Sequence, residues 1–165
     1  MMIASSLIKS RSLVLFAGAV LVSSAMPAGV ALAGTPEEPS IHSLTPAEVQ
    51  SGALTIEQGH EGVRYVSGGV GVEERAWLAA HESQFNTRLT FAVEPGGAFV
   101  SDVQVLITAG QGKTVLKTTT NGPKLLAELP AGSYEIQATH DGQTLHRTFT
   151  VASHGHVALG FGFKN

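Results

Sequence analysis

The chain contains no cysteine. That excludes a disulfide framework, thiolate metal ligands and a lipid anchor attached through cysteine. Aromatic residues are scarce, at 6% of the chain with a single tryptophan, so few are available as stacking platforms for sugars or bases. Charge is low as well. Ten basic residues stand against thirteen acidic ones in 165 residues, for a formal net charge of −3. Such mild acidity speaks against non-specific binding to nucleic acid or anionic lipid. Apolar runs are short. The longest lies near the start, and it falls below the roughly 20 residues that a spanning helix needs.

That run has a different meaning. Lys9 and Arg11 precede the apolar stretch Leu13 to Val22, and Ala31-Leu32-Ala33 supplies small residues suited to cleavage. This is the order of parts in an export signal, so residues 1–33 are expected to be removed and Gly34 to begin the mature chain. Both basic residues of the signal leave with it, and the mature chain then carries eight basic against thirteen acidic residues. The expected location is periplasmic or secreted, with no stable membrane span after cleavage. Residues 34–70 read as a flexible linker, because "GTPEEPSIHS" is polar and proline-rich and "QGHEGVRYVSGGVG" is rich in glycine. Within it, Thr45-Pro46-Ala47-Glu48 has the pattern of a capping box, predicting a short helix to about Gln50.

Residues 71–165 form the expected domain. Trp77, Leu78, His81 and Phe85 recur at helical spacing behind Glu73 and Glu74, which predicts one helix over Glu73–Phe85. After Asn86 the period changes to two. Seven strands are predicted, at Arg88–Glu94, Phe99–Thr108, Thr114–Thr119, Lys124–Leu129, Ser133–His140, Thr144–Val151 and His156–Phe163. Seven short strands at this spacing give a mainly β fold, a β-sandwich or barrel. Asp141-Gly142 is a two-residue hairpin turn pairing His140 with Gln143, Tyr134 with Phe149 and Ile136 with Arg147. A three-residue turn, Ser153-His154-Gly155, is expected to pair the last two strands, setting Val151 against Val157 and Phe149 against Leu159.

The stretch from Val103 to Val151 holds a Val-x-Val strand, a threonine-rich strand ending at Asn121-Gly122, and Leu-Pro-x-Gly-x-Tyr at Leu129 to Tyr134. In these residues the chain resembles the carboxypeptidase regulatory-like domain, and its helix and Gly-Gly-Val-Gly stretch resemble those of small secreted proteobacterial proteins. The resemblance implies a transthyretin-like or Ig-like β-sandwich, related in fold to starch-binding modules. It implies no peptidase activity, since such domains sit as accessories beside a peptidase or transporter.

Motifs for chemistry are incomplete. "GQGKT" at Gly110–Thr114 lacks the first glycine of a phosphate loop, has Ile107 in its place, and is followed by a β-branched run; it reads as a hairpin turn. "GGVGVEE" has Glu74 where a dinucleotide fingerprint needs glycine, and reads as a hinge before a helix. His146 and His156 fall on one outer face but about 20 Å apart by strand rise, too far for one ion. No serine sits on a nucleophile elbow, and Glu94 and Asp102 flank a turn as solvated carboxylates. No catalytic residue, metal or cofactor is therefore expected. Candidate binding residues are Tyr65, Gly68, Gly69 and Gly71 of the glycine-rich loop, Trp77 of the helix, and Arg147. Arg147 stands at an inward phase, where an unpaired guanidinium needs an edge position or a partner. The expected function is a non-catalytic module that binds an envelope protein or glycan through loops or a sheet edge. The alternative is an accessory to a periplasmic hydrolase or transporter.

Overall fold

A computed structural model describes residues 44–165; residues 1–33, expected to form an export signal, and residues 34–43 lie outside the described residues. The elements run α1 (Pro46–Ser51), β1 (Glu57–Gln58), β2 (Arg64–Gly68), α2 (Val72–His81), β3 (Thr87–Glu94), β4 (Gln104–Ala109), β5 (Lys113–Thr119), β6 (Lys124–Glu128), β7 (Gly132–His140), β8 (Gln143–Val151) and β9 (Val157–Lys164). They build two sheets, β1-β2-β6-β3-β9 and β5-β4-β7-β8. The mainly β sandwich preceded by a short helix is thus present, with two more strands than the seven expected.

The core lies between the sheets. Leu89, Phe91, Leu125 and Phe163 of one sheet face Val105, Ile107, Leu116 and Ile136 of the other, all under 2% exposed. A second, smaller core lies on the outer side of the first sheet. There α2 lays Trp77 and Leu78 against Val66, Leu126 and Phe85. Apolar residues on both faces of β2 and β6 explain this layering: Val66 and Leu126 pair on the outer face, Tyr65 and Ala127 on the inner.

Turn chemistry fixes the hairpins. Asp141 and Gly142 both have positive φ, at 46° and 77°, as a tight two-residue turn of this kind requires. The expected register follows, with His140↔Gln143, Ile136↔Arg147 and Tyr134↔Phe149. Gly110–Gly112 is a turn between β4 and β5, as read from the sequence. The Leu-Pro-x-Gly-x-Tyr motif also has a physical cause. The Tyr134 hydroxyl donates to the Pro130 carbonyl at 2.7 Å, tying the turn before β7 to its own strand. Burial raises its phenol above the ordinary tyrosine range.

Two expectations fail. The linker over residues 34–70 does not hold for residues 44–70. The capping box at Thr45 is formed, with Glu48 bonded to the Thr45 backbone at 2.7 Å, and it starts α1 as predicted. Those bonds also hold the Glu48 carboxyl below its ordinary range. Beyond it β2 pairs along its whole length with β6, Arg64 with Glu128 through Gly68 with Lys124. Glycine density hid this strand because backbone pairing needs no side chain. The second failure concerns β9. It does not form a hairpin with β8 but crosses to the other sheet and pairs in parallel with β3, Thr87↔Val157 through Glu94↔Lys164. Val157, Leu159, Phe161 and Phe163 point into the core from either position, so period alone could not choose between partners. The expected distance between His146 and His156 rested on the lost register and falls with it.

Candidate interaction surface

The glycine-rich segment is part of the scaffold. Gly68 ends β2, and a Cβ there would stand 2.6 Å from the Leu54 side chain. Gly69 is buried with φ at 96°, a conformation that favours glycine. Its N–H and that of Val70 both donate to Glu74 Oε2, at 2.8 and 3.0 Å. Arg75 donates to the Val70 carbonyl at 2.8 Å. The loop is therefore pinned by the helix that follows, and Gly71 is that helix's N-cap. Tyr65 points into the sandwich, where its hydroxyl donates to Glu57 Oε2 at 2.7 Å and burial raises its phenol above the ordinary range. Trp77 is stacked on His81 at 4.0 Å between ring centroids, and it lies inside the smaller core. Five of the six sequence candidates thus serve the fold, and they do not converge on a shared cleft.

Arg147 is different. It occupies the inner phase of β8, opposite Ile136, yet it is exposed, because β8 is the last strand of its sheet. Among the described residues it makes no ion pair. On either side along the strand, Leu145 and Phe149 are only half-buried against the core. Facing them from the other sheet, Val157 and Leu159 are half-buried too. Together these five residues line a lateral seam where the sandwich is left open.

The two sides of the sandwich contrast. On the far side residues 57–62 close the seam. Glu57 reaches Tyr65, Lys113 and Glu61 form an ion pair at 2.9 Å, and a Cβ on Gly59 would stand 3.0 Å from Leu116. On the β8/β9 side, among the described residues, the Lys164 N–H donates to Gln143 Oε1 at 2.8 Å, at the bottom of the seam.

Backbone geometry sharpens the picture. In an antiparallel hairpin, pairs that exchange both hydrogen bonds alternate with pairs that exchange none. A two-residue turn makes its flanking pair, His140 and Gln143, a bonded one. Gln143, Leu145, Arg147, Phe149 and Val151 therefore turn their backbone groups toward β7. Thr144, His146, Thr148 and Thr150 turn theirs outward. In β9 the Val157 N–H goes to Asn86 at 2.8 Å, so the even-numbered residues Ala158, Gly160 and Gly162 face the seam. Two long edges with unpaired N–H and C=O groups lie side by side.

The loop end of the sandwich is another concave region. Three adjoining grooves of about 530, 370 and 210 Å³ meet at Asn86. Several of their polar groups are already engaged. The Asn86 amide pairs with both backbone groups of Leu129, at 2.7 and 3.0 Å. Glu82 pairs with Arg88, and Arg64 with Glu128 at 3.0 Å. His156 Nδ1 lies 3.2 Å from the Phe85 carbonyl, which fixes the proton on that nitrogen. Among the described residues no group of three histidine, aspartate or glutamate side chains could hold a metal ion. Nor is any described helix long and apolar enough to cross a membrane.

No protein-family model matches the chain. No curated protein matches it either. Among solved structures, a 5-hydroxyisourate hydrolase from Klebsiella pneumoniae is similar at 18% identity and a TM-score of 0.40, over 47% of this chain and 88% of that one. A likeness at that level carries nothing about chemistry, and the sandwich described above rests on its own strand pairing.

Proposed function

We propose that this chain is an exported, non-catalytic β-sandwich that binds a protein of the bacterial cell envelope by pairing with an extended segment at the open seam. The observation that carries this reading is the asymmetry of the sandwich: one side is closed by residues 57–62, while on the other the outer edges of β8 and β9 are left unpaired. Adding a strand to such an edge supplies main-chain hydrogen bonds, and side-chain pockets supply specificity. The carboxypeptidase regulatory-like assignment is supported by Leu-Pro-x-Gly-x-Tyr and the Tyr134–Pro130 bond. A glycan ligand is less favoured, because Phe99, 60% exposed, is the one large aromatic described as openly exposed. An accessory role beside a hydrolase or transporter is the special case in which the bound protein is that enzyme or carrier.

A photo-crosslinking side chain at Thr148 or Gly160 should capture the same envelope protein in intact cells. One at Gln58, on the closed side, should not. Thr148→Pro should abolish capture while leaving the fold intact, since its N–H points away from β7 and proline is tolerated on such an edge. Equal capture from Gln58, or capture that survives Thr148→Pro, would refute edge pairing.

A further inference from the structure

The seam also specifies the chemistry of its occupant; this step rests on the edge-binding reading above. An ordinary edge strand invites any extended segment, including a second copy of itself, and an inward-pointing charge is a known way to prevent that. Arg147 is such a charge. Its side chain points to the core side of β8 at an exposed edge. Consider a strand laid antiparallel against β8. Because Arg147 turns its backbone groups toward β7, the residue opposite it belongs to a non-hydrogen-bonded pair, in which the Cα atoms approach to about 4.5 Å and the side chains are closest. An apolar residue there would leave the guanidinium desolvated without a partner, which is costly. A lysine or arginine would add like-charge repulsion. A carboxylate would meet it with charge-assisted, bidentate hydrogen bonds.

The neighbouring positions extend the rule. Two residues away in each direction along β8 stand Leu145 and Phe149, both half-buried and incompletely covered. Residues opposite them share the inner face, so they should be apolar. The intervening residues lie beside His146 and Thr148 on the solvated face, so they should be polar. We infer that β8 recognises a segment of another protein in which an Asp or Glu is flanked at two residues on each side by an apolar side chain, in extended conformation. The pattern reads the same in both chain directions.

Two other occupants fit poorly. A second copy pairing β8 with β8 about Arg147 would set two guanidinium groups opposite one another. Glu37 and Glu38 of the same chain are flanked two residues away by Thr35 and Pro39, and by Pro36 and Ser40, so neither has the apolar neighbours and proline removes donors. Arg147 is thus a specificity residue. It rejects the commonest apolar strands and admits those carrying an acid in one register.

The test uses purified protein and three labelled peptides, Thr-Val-Thr-Glu-Thr-Val-Thr and its counterparts with Gln or Lys at the centre, titrated by fluorescence anisotropy. The Glu peptide should bind about tenfold more tightly than the Gln peptide, as a charge-assisted pair warrants, with the Lys peptide weakest. In Arg147→Glu the order should invert, with Lys preferred. The melting temperature of that variant should stay close to wild type, because the side chain is exposed. Glu and Gln peptides of equal affinity, an order that survives Arg147→Glu, or no binding of the Glu peptide at about 1 mM would each overturn the acid rule. If crosslinks from Thr148 still capture a partner in that event, edge binding stands and only the acid rule falls. If they too are lost, both fall.

Discussion

Trp77→Ala is expected to lower stability by about 3–5 kcal/mol, the range for truncating a large aromatic in a core. Trp77 is 5% exposed, and it is the largest side chain joining α2 to the outer face of β2 and β6. Its ring also stacks on His81, so the substitution removes that contact at the end of the helix as well. Without the indole, Val66, Leu126 and Phe85 line a cavity, and the helix lacks a compensating apolar contact of similar size. Urea denaturation reads the loss directly. A loss under about 1 kcal/mol, with impaired partner capture, would place Trp77 on a binding surface instead.

Gly122→Ala should be destabilising by about 1–3 kcal/mol, the usual range for overpacking, despite adding only one methyl group. Gly122 is buried in the connection between β5 and β6. A Cβ there would stand 2.5 Å from the backbone carbon and oxygen of Gly68, at the end of β2. Backbone cannot turn aside as a side chain can. The methyl group must push β2 away from β6, beside the pair Gly68↔Lys124. The effect depends on residues 64–68 being a strand of the sandwich; in a loose tether the methyl group would meet nothing. Gly160→Ala is the control. A Cβ at Gly160 meets no atom within 4 Å, and its φ is ordinary, so the change should stay within about 0.5 kcal/mol. Equal effects at the two glycines would show that the close approach of Gly122 to β2 is not real.

These two residues mark the limits of what the sequence discloses. Trp77, Leu78 and His81 revealed a helix because their spacing is helical, but α2 ends at His81, and Phe85, expected within it, follows in extended conformation. Asp141-Gly142 revealed a register because a two-residue turn leaves one choice of pairing. The seven strands after Asn86 were legible from alternation. β2 was not, since Gly68 and Gly69 read as linker composition although Gly68 permits close packing against Leu54 and Gly122. The partner of β9 was not legible either. Val157, Leu159, Phe161 and Phe163 satisfy one buried face whichever neighbour they take. That single ambiguity concealed the seam, for a β8–β9 hairpin would have left β8 no free edge. Arg147 was the visible trace. A charge at an inward phase signalled an edge, and it was the one candidate whose position the fold leaves available for binding.

Amide hydrogen exchange along β8, followed by NMR on the isolated protein, tests the open seam most directly. Leu145, Arg147 and Phe149 turn their N–H groups toward β7 and should exchange slowly. Thr144, His146, Thr148 and Thr150 turn theirs to solvent and should exchange fast, giving a strict alternation along the strand. Uniformly slow exchange at all of these positions would mean that another strand already covers the edge, and would contradict an open, partner-accepting seam.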